Sequence, residues 1–259
     1  MPNINNSKKS LIVILGSIVI IGFAIAKLYY NHVNKSNDPR IIEARELYGK
    51  YDSYAESNNF KAIFLLLDSV EFIYQSVEHY QRSYEIGVLH NNRSAAYLAM
   101  AIFHEDNCLS LDGISILSKD TLLSLSKIAA LKSIQTYEDW LNIYSEKDEE
   151  EIHMLLTTNF LNGLTSYSDK ELKRFTSSRI NEIKEAQLET PRRLSVAYTN
   201  LGIVMRHREN YELAIEYYKK AMDLWDRNLA AENSLNALLG QPQKKRNFIE
   251  KILPPPKDK

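Results

Sequence analysis

The chain has 259 residues, with 32 basic and 33 acidic side chains and a formal net charge of -1. So even a balance leaves no electrostatic footprint for nucleic acid, and a lone cysteine, Cys108, excludes an intramolecular disulfide framework. Eight glycines and seven prolines are few for a β-rich or linker-rich protein, whereas sixteen tyrosines suit contacts between helices.

Residues 1–10 form a short basic tail with Lys8 and Lys9. Leu11 to Ala26 then carries no charge, and Lys27, Tyr29 and Tyr30 follow as a cation and aromatics suited to a membrane boundary. With Lys27 snorkelling, residues 11–30 are long enough to span a bilayer, so they predict a transmembrane anchor and a single-pass membrane protein. The small-x-small triplet Ala24-Ile25-Ala26 leaves a cleaved signal peptide as the alternative. The basic leader reads as a signal-anchor with the soluble domain on the translocated, extracytoplasmic side. Lys27, Lys35, Arg40 and Arg45 nevertheless balance the positive count across the two flanks.

Residues 31–39 are a polar linker ending in Asn37-Asp38-Pro39, a turn and helix start. Ile41, Ala44, Leu47, Tyr48, Tyr51 and Tyr54 fall at helical spacing and predict one helix over 41–56. Ser57-Asn58-Asn59 breaks it, and a second helix over 60–74 turns Ile63, Phe64, Leu67, Val70 and Tyr74 inward. Residues 77–104 contain a third helical run, VLHNNRSAAYLAMAIF. An inserted loop over 105–119 follows, with an Asp112-Gly113 turn, and then a helix capped by Asp120 or Thr121 that runs to about Tyr144. The acidic run Glu146 to Glu151 suits the start of a helix over 152–164. Ser168-Asp169 starts a helix to about Glu189, and Thr190-Pro191 starts the next. Leu229 to Leu239 is a closing helix with Gly240 as its C-cap, and residues 241–259 are a polar tail with three prolines and lysines.

The most informative stretch is Ser195 to Asn228, two helical runs separated by Arg208-Glu209-Asn210. Tyr198, Leu201, Gly202 and Met205 lie on one stripe, and Ala214, Tyr218 and Ala221 on the other. This order of aromatic, Leu-Gly, Ala, aromatic and Ala resembles a tetratricopeptide repeat, although Asp226 stands where that family often has a closing proline. Asn92 to Leu98 is similar to the first helix of such a repeat, and Ser126, Ala130, Ser133 and Ile134 are spaced like its second. The resemblance implies an all-α protein: the anchor helix, then a solenoid of antiparallel helix pairs over 40–240, clearest over 195–228 and capped by 229–239. It assigns Tyr198, Leu201, Gly202, Ala214, Tyr218 and Ala221 to packing within the repeat. It also implies an inner groove for a protein or peptide partner, lined by Asn92, Asn200, Arg206, His207 and Arg93. An amide there bonds a peptide backbone without reading its sequence. The lysines of a co-chaperone clamp are not in place.

No Gly-rich phosphate loop, nucleophile elbow or paired-His metal motif is present, so the chain reads as a non-enzymatic interaction module with no catalytic residue, cofactor or metal. The one local cluster, His104-Glu105-Asp106 with Cys108, lacks ligand spacing. An enzyme or enzyme regulator working through the atypical 105–168 region is one alternative. A structural homo-oligomer is the other.

Overall fold

The structure is a computed structural model that describes residues 37–103 and 117–245. Polar caps set most of its helix starts. Asn59, Ser118, Asn210 and Asn228 each accept a hydrogen bond from the backbone amide three residues on, at 3.0–3.2 Å. Asp148 and Glu151 form a reciprocal capping box at 2.9 and 3.1 Å, so the acidic run serves as a helix start. At Ser168 the Glu171 carboxylate accepts from both the backbone amide, at 2.9 Å, and the hydroxyl, at 2.7 Å.

Among the described residues every regular element is helical. In order they are α1 (Ile42–Tyr48), α2 (Tyr51–Glu56), α3 (Phe60–Ser76), α4 (Tyr84–Phe103), α5 (Lys119–Tyr144), α6 (Glu149–Asn159), α7 (Asp169–His207), α8 (Tyr211–Leu224) and α9 (Leu229–Leu238). Short 3-10 turns at Pro39–Ile41 and Glu78–Tyr80 precede α1 and α4.

Several boundaries differ from those expected. The helix over 41–56 splits at Gly49-Lys50, where 3-10 bonding tightens the chain: the Lys50 amide reaches Leu47 O at 3.0 Å. Within 77–104 the helix itself begins at Tyr84, because Val77 is extended and the fully buried Tyr80 pins the intervening turn. Ser118 caps α5 in place of Asp120 or Thr121. The largest correction concerns Thr190-Pro191, which starts no helix and lies inside the 39-residue α7. Proline removes one amide donor and disfavours a helix interior. Here the site is buried: Thr190 is inaccessible, its hydroxyl donates to Ala186 O at 2.6 Å, and Ala186 and Leu194 pack on either side. Tertiary burial holds the helix through the proline.

Two antiparallel hairpins carry the core. In the first, Ser126 Oγ donates to Ser94 O and Ser133 Oγ to Gly87 O, each at 2.9 Å, so α5 runs back along α4. In the second, Ser195 Oγ donates to Ala221 O at 2.6 Å while Gly202 faces Tyr218. Ser126, Ala130 and Ser133 on α5, and Ala214, Tyr218 and Ala221 on α8, are all fully buried. Small residues let the backbones approach, and a tyrosine ring fills each gap: Tyr137 lies over Gly87 and Tyr218 over Gly202.

The first helices of the two hairpins run parallel. Asn200 of α7 bonds Asn91 of α4, a pair 109 positions apart, and Arg193 meets Tyr84 at the same offset, one heptad earlier. The N-terminal half of α7 reaches the rest of the molecule. Arg45 of α1 pairs with Glu182 at 2.6 Å, and Lys184 pairs with Glu149 of α6 at 3.2 Å. The Gln187 amide donates to Tyr144 O and, at 2.9 Å, to Lys147 O beyond the end of α5. At the other end α9 buries Ala231 and Leu235 against α8. The buried Asn228 amide donates to Ser195 Oγ at 2.7 Å and Thr199 Oγ1 at 2.8 Å.

Among the described residues no helix is long and apolar enough to cross a membrane. The longest, α7, carries charged side chains along much of its length, the pattern of a helix set between protein and water. The single-pass membrane location expected from the sequence is corrected on this finding, and residues 11–30, to which the anchor was assigned, lie outside the described residues. Residues 104–116, which hold the His104 and Cys108 cluster, Asp112-Gly113 and most of the loop expected over 105–119, also lie outside them.

A Cβ at Gly202 or Gly87 would stand inside 3 Å of its tyrosine ring. Gly202→Ala and Gly87→Ala are each expected to lower stability by about 1–3 kcal/mol, the usual cost of overpacking. Urea denaturation checks this, with the midpoint falling at unchanged slope.

Candidate functional site

The residues expected to line a groove separate into different surroundings. Asn200 is 7 % exposed, and its amide donates to Asn91 Oδ1 at 3.2 Å, so it is a buried link between α4 and α7. Asn92 is partly exposed and donates to the Tyr48 hydroxyl of α1 at 2.7 Å. Arg93 turns to α3, where it pairs with Asp68 at 2.8 Å and Glu71 at 2.9 Å. Arg206 and His207 are exposed at the C-terminal end of α7. Tyr198, Leu201, Gly202, Ala214, Tyr218 and Ala221 are all buried at or beside the α7–α8 seam.

Asn92 sits on a strip that stays partly open. The α4 face bearing Asn92, Ala95 and Ala99 and the α7 face bearing Arg193, Val196 and Ile203 are neither buried nor fully exposed. At the α1 end of this strip the Tyr48 and Tyr51 rings stack at 5.7 Å. Burial pushes both phenols up, Tyr51 to about 12, so each is a neutral hydrogen-bonding group at physiological pH. Arg193 completes this corner. Its guanidinium hydrogen-bonds the Tyr84 hydroxyl, its electrostatic neighbours are the phenols of Tyr84, Tyr137 and Tyr48, and its Nε is buried without a hydrogen-bond partner. Tyr48, Tyr84 and Arg193 carry no sequence motif, and the 109-position offset that unites Tyr84 with Arg193 is not written into any local spacing.

A second polar cluster lies deeper, beneath the N-terminal half of α7. The Arg179 side chain is 4 % exposed. It donates to Glu85 Oε1 at 2.5 Å and Oε2 at 3.3 Å, to Glu182 at 3.0 Å and to His79 Nε2 at 3.1 Å, and it lies 4.5 Å from the Tyr80 ring centroid. Burial alone would raise the Glu85 pKa. The Arg179 charge and the hydrogen bonds outweigh burial and bring it down to about 2. Burial, assisted by Arg179, lowers His79 to about 3, which keeps the imidazole neutral and able to accept. Arg40 extends the cluster by pairing with Asp38 at 2.6 Å and donating to Phe160 O at 2.8 Å and Asn162 O at 2.5 Å, at the end of α6. Arg179, Glu85, His79 and Arg40 all direct polar groups to segments remote in the chain, which is the behaviour of a structural clasp.

Among the described residues no group of three or more His, Cys, Asp and Glu side chains is placed to hold a metal ion. The chain matches no protein-family model, no curated protein and no solved structure.

Acid should loosen the clasp in two windows. A neutral His79 means that the unfolded chain binds the extra proton between the ordinary value of 6.5 and about 3, so stability falls as pH drops through that range. The ionised Glu85 adds the same sign between 4.5 and about 2. His79→Gln should therefore remove up to about 1.4 kcal/mol per pH unit of slope above pH 5, where Glu85→Gln leaves the slope intact. Urea midpoints across pH 3–7 for the two variants test this. Separately, Asn200→Ala strands the buried Asn91 amide and should cost about 1–3 kcal/mol. Adding Asn91→Ala should recover part of that loss in a double-mutant cycle.

Proposed function

We propose that this chain is a protein-interaction module of the tetratricopeptide kind. In this reading its stacked antiparallel pairs form a curved array, and the strip between α4 and α7 receives an extended segment of a partner. The observation that carries the reading is the parallel, heptad-spaced contact of α4 with α7, Tyr84 to Arg193 and then Asn91 to Asn200. Repetition of one pair on the next generates a continuous inner face from first helices alone. The partly exposed Ala95, Ala99, Val196 and Ile203 supply apolar surface along that face, and Asn92 supplies an amide. Extended segments commonly bind in this way, with main-chain bonds and shallow side-chain contacts.

Among the described residues of the 105–168 region, Asp148 and Glu151 cap α6, Glu151 and Glu149 pair with Lys147 and Lys184, Asp120 pairs with Arg208, and Glu138 and Asp139 accept from Tyr198 and Gln135, so these acids serve contacts between and within helices.

A photo-cross-linking amino acid at Val196 or Arg206, on the open side of α7, should trap a discrete partner in cells. The same residue at Glu216, on the exposed face of α8, should not. Equal trapping at both places, or trapping at Glu216 alone, would remove the inner-face reading.

A further inference from the structure

The inner strip contains one cation whose environment is unfinished. Arg40, Arg45, Arg93, Arg179, Arg192 and Arg208 each meet a carboxylate within ion-pair distance. Arg193 is also partly buried, yet its contacts are phenols: the Tyr84 hydroxyl bonds it, Tyr137 and Tyr48 stand near it, and its Nε has no partner. Neutral hydroxyls solvate a guanidinium but do not neutralise it. The carboxylate one turn earlier, Glu189, is held by Arg192 at 3.1 Å. On the α1–α2 side the exposed Asp52 is an acid whose charge bears on Tyr48 and Tyr51.

Resting on the inner-face reading above, we infer that the corner formed by Arg193, Tyr48 and Asn92 is a specificity site that accepts an acidic side chain, Asp or Glu, of the bound partner segment. The chemistry is complementary at each contact. Arg193 offers charge-assisted N–H donors to a carboxylate. The Tyr48 hydroxyl, which already accepts from Asn92 Nδ2 at 2.7 Å, keeps its own O–H free to donate to an anion. Asn92 retains its carbonyl oxygen and a second N–H for the partner's main chain. Partial burial strengthens these bonds relative to open water, and the Tyr51 ring stacks on Tyr48 beside them at 5.7 Å. An aliphatic side chain in this corner would leave the guanidinium desolvated and uncompensated. The corner therefore discriminates through the penalty on the wrong occupant as well as the gain from the right one.

The test selects random twelve-residue peptides, displayed on phage, against the full chain. Each enriched peptide is then resynthesised, capped at both ends, with its acidic residues kept or changed to Gln or Asn. Binding is measured on the wild type, Arg193→Gln, Arg193→Lys and the control Lys219→Gln, a change on the exposed face of α8. The expected result is a recurrent Asp or Glu, an affinity loss of about tenfold or more when it is neutralised, and no further loss when the same peptide meets Arg193→Gln. Arg193→Lys should retain part of the preference, and Lys219→Gln all of it. Thermal unfolding of each variant separates loss of the site from loss of the fold. Peptides that bind at the strip with no acidic preference, or that are unaffected by Arg193→Gln, would overturn this assignment and leave the inner-face reading standing. Failure to enrich any peptide would overturn both.

Discussion

A guanidinium with 4 % of its surface in water organises this molecule. Arg179 projects from α7, and an uncompensated charge at that depth would carry a penalty of several kcal/mol. Its partners arrive from separate parts of the chain: Glu85 from α4, His79 and Tyr80 from the turn before it, and Glu182 from α7 itself. Glu182 passes the connection on to Arg45 of α1. His79 stands edge-on to Phe160, at 5.0 Å between centroids, and the same ring receives Arg40 at 5.2 Å. Each contact is satisfied only when four segments sit together. The cluster therefore specifies one arrangement of helices that generic apolar packing would leave open.

The two hairpins specify position in a different way. In each, a glycine on the first helix admits a tyrosine ring from the second, and a serine hydroxyl bonds a backbone carbonyl across the seam. The donor is Ser133 on the second helix of one hairpin and Ser195 on the first helix of the other, so the same contact is made with opposite polarity. Stacking the two places α4 and α7 side by side and leaves a narrow strip of small and apolar residues between their exposed edges. One end of that strip is bounded by phenols and the Arg193 cation. Its polarity thus changes along its length, which gives it a direction.

Much of the helical framework was legible because its signals are local. Asn59, Asp148, Ser168 and Asn228 announce helix starts within three residues, and the Ala214, Tyr218 and Ala221 spacing declares a buried face without reference to any partner. The spacing of Ser126, Ala130 and Ser133 was readable for the same reason. The Arg179 cluster was not, because its partners lie 94 and 100 positions away and no period connects them. Asn200 was misleading in an instructive way. A polar residue two positions before a helix-seam glycine reads as groove-facing, but the neighbouring helix supplies Asn91 and closes it off. Pro191 misled through a sound local rule that burial on both sides overrides.

The unbroken run of α7 through Pro191 bears on how this polypeptide can be subdivided. At about 1.5 Å per residue its 39 residues make a rod roughly 58 Å long. A parser of repeats would cut at Thr190-Pro191, mid-rod, separating a segment clamped to α1, α4 and α6 from one clamped to α4, α5 and α8. Either piece would keep a raw helix end. A shorter version of the protein has to begin before Ser168 or after His207. The stretch that resembles a repeat, 195–228, is consequently a pattern in the text of the chain but not a detachable part of it.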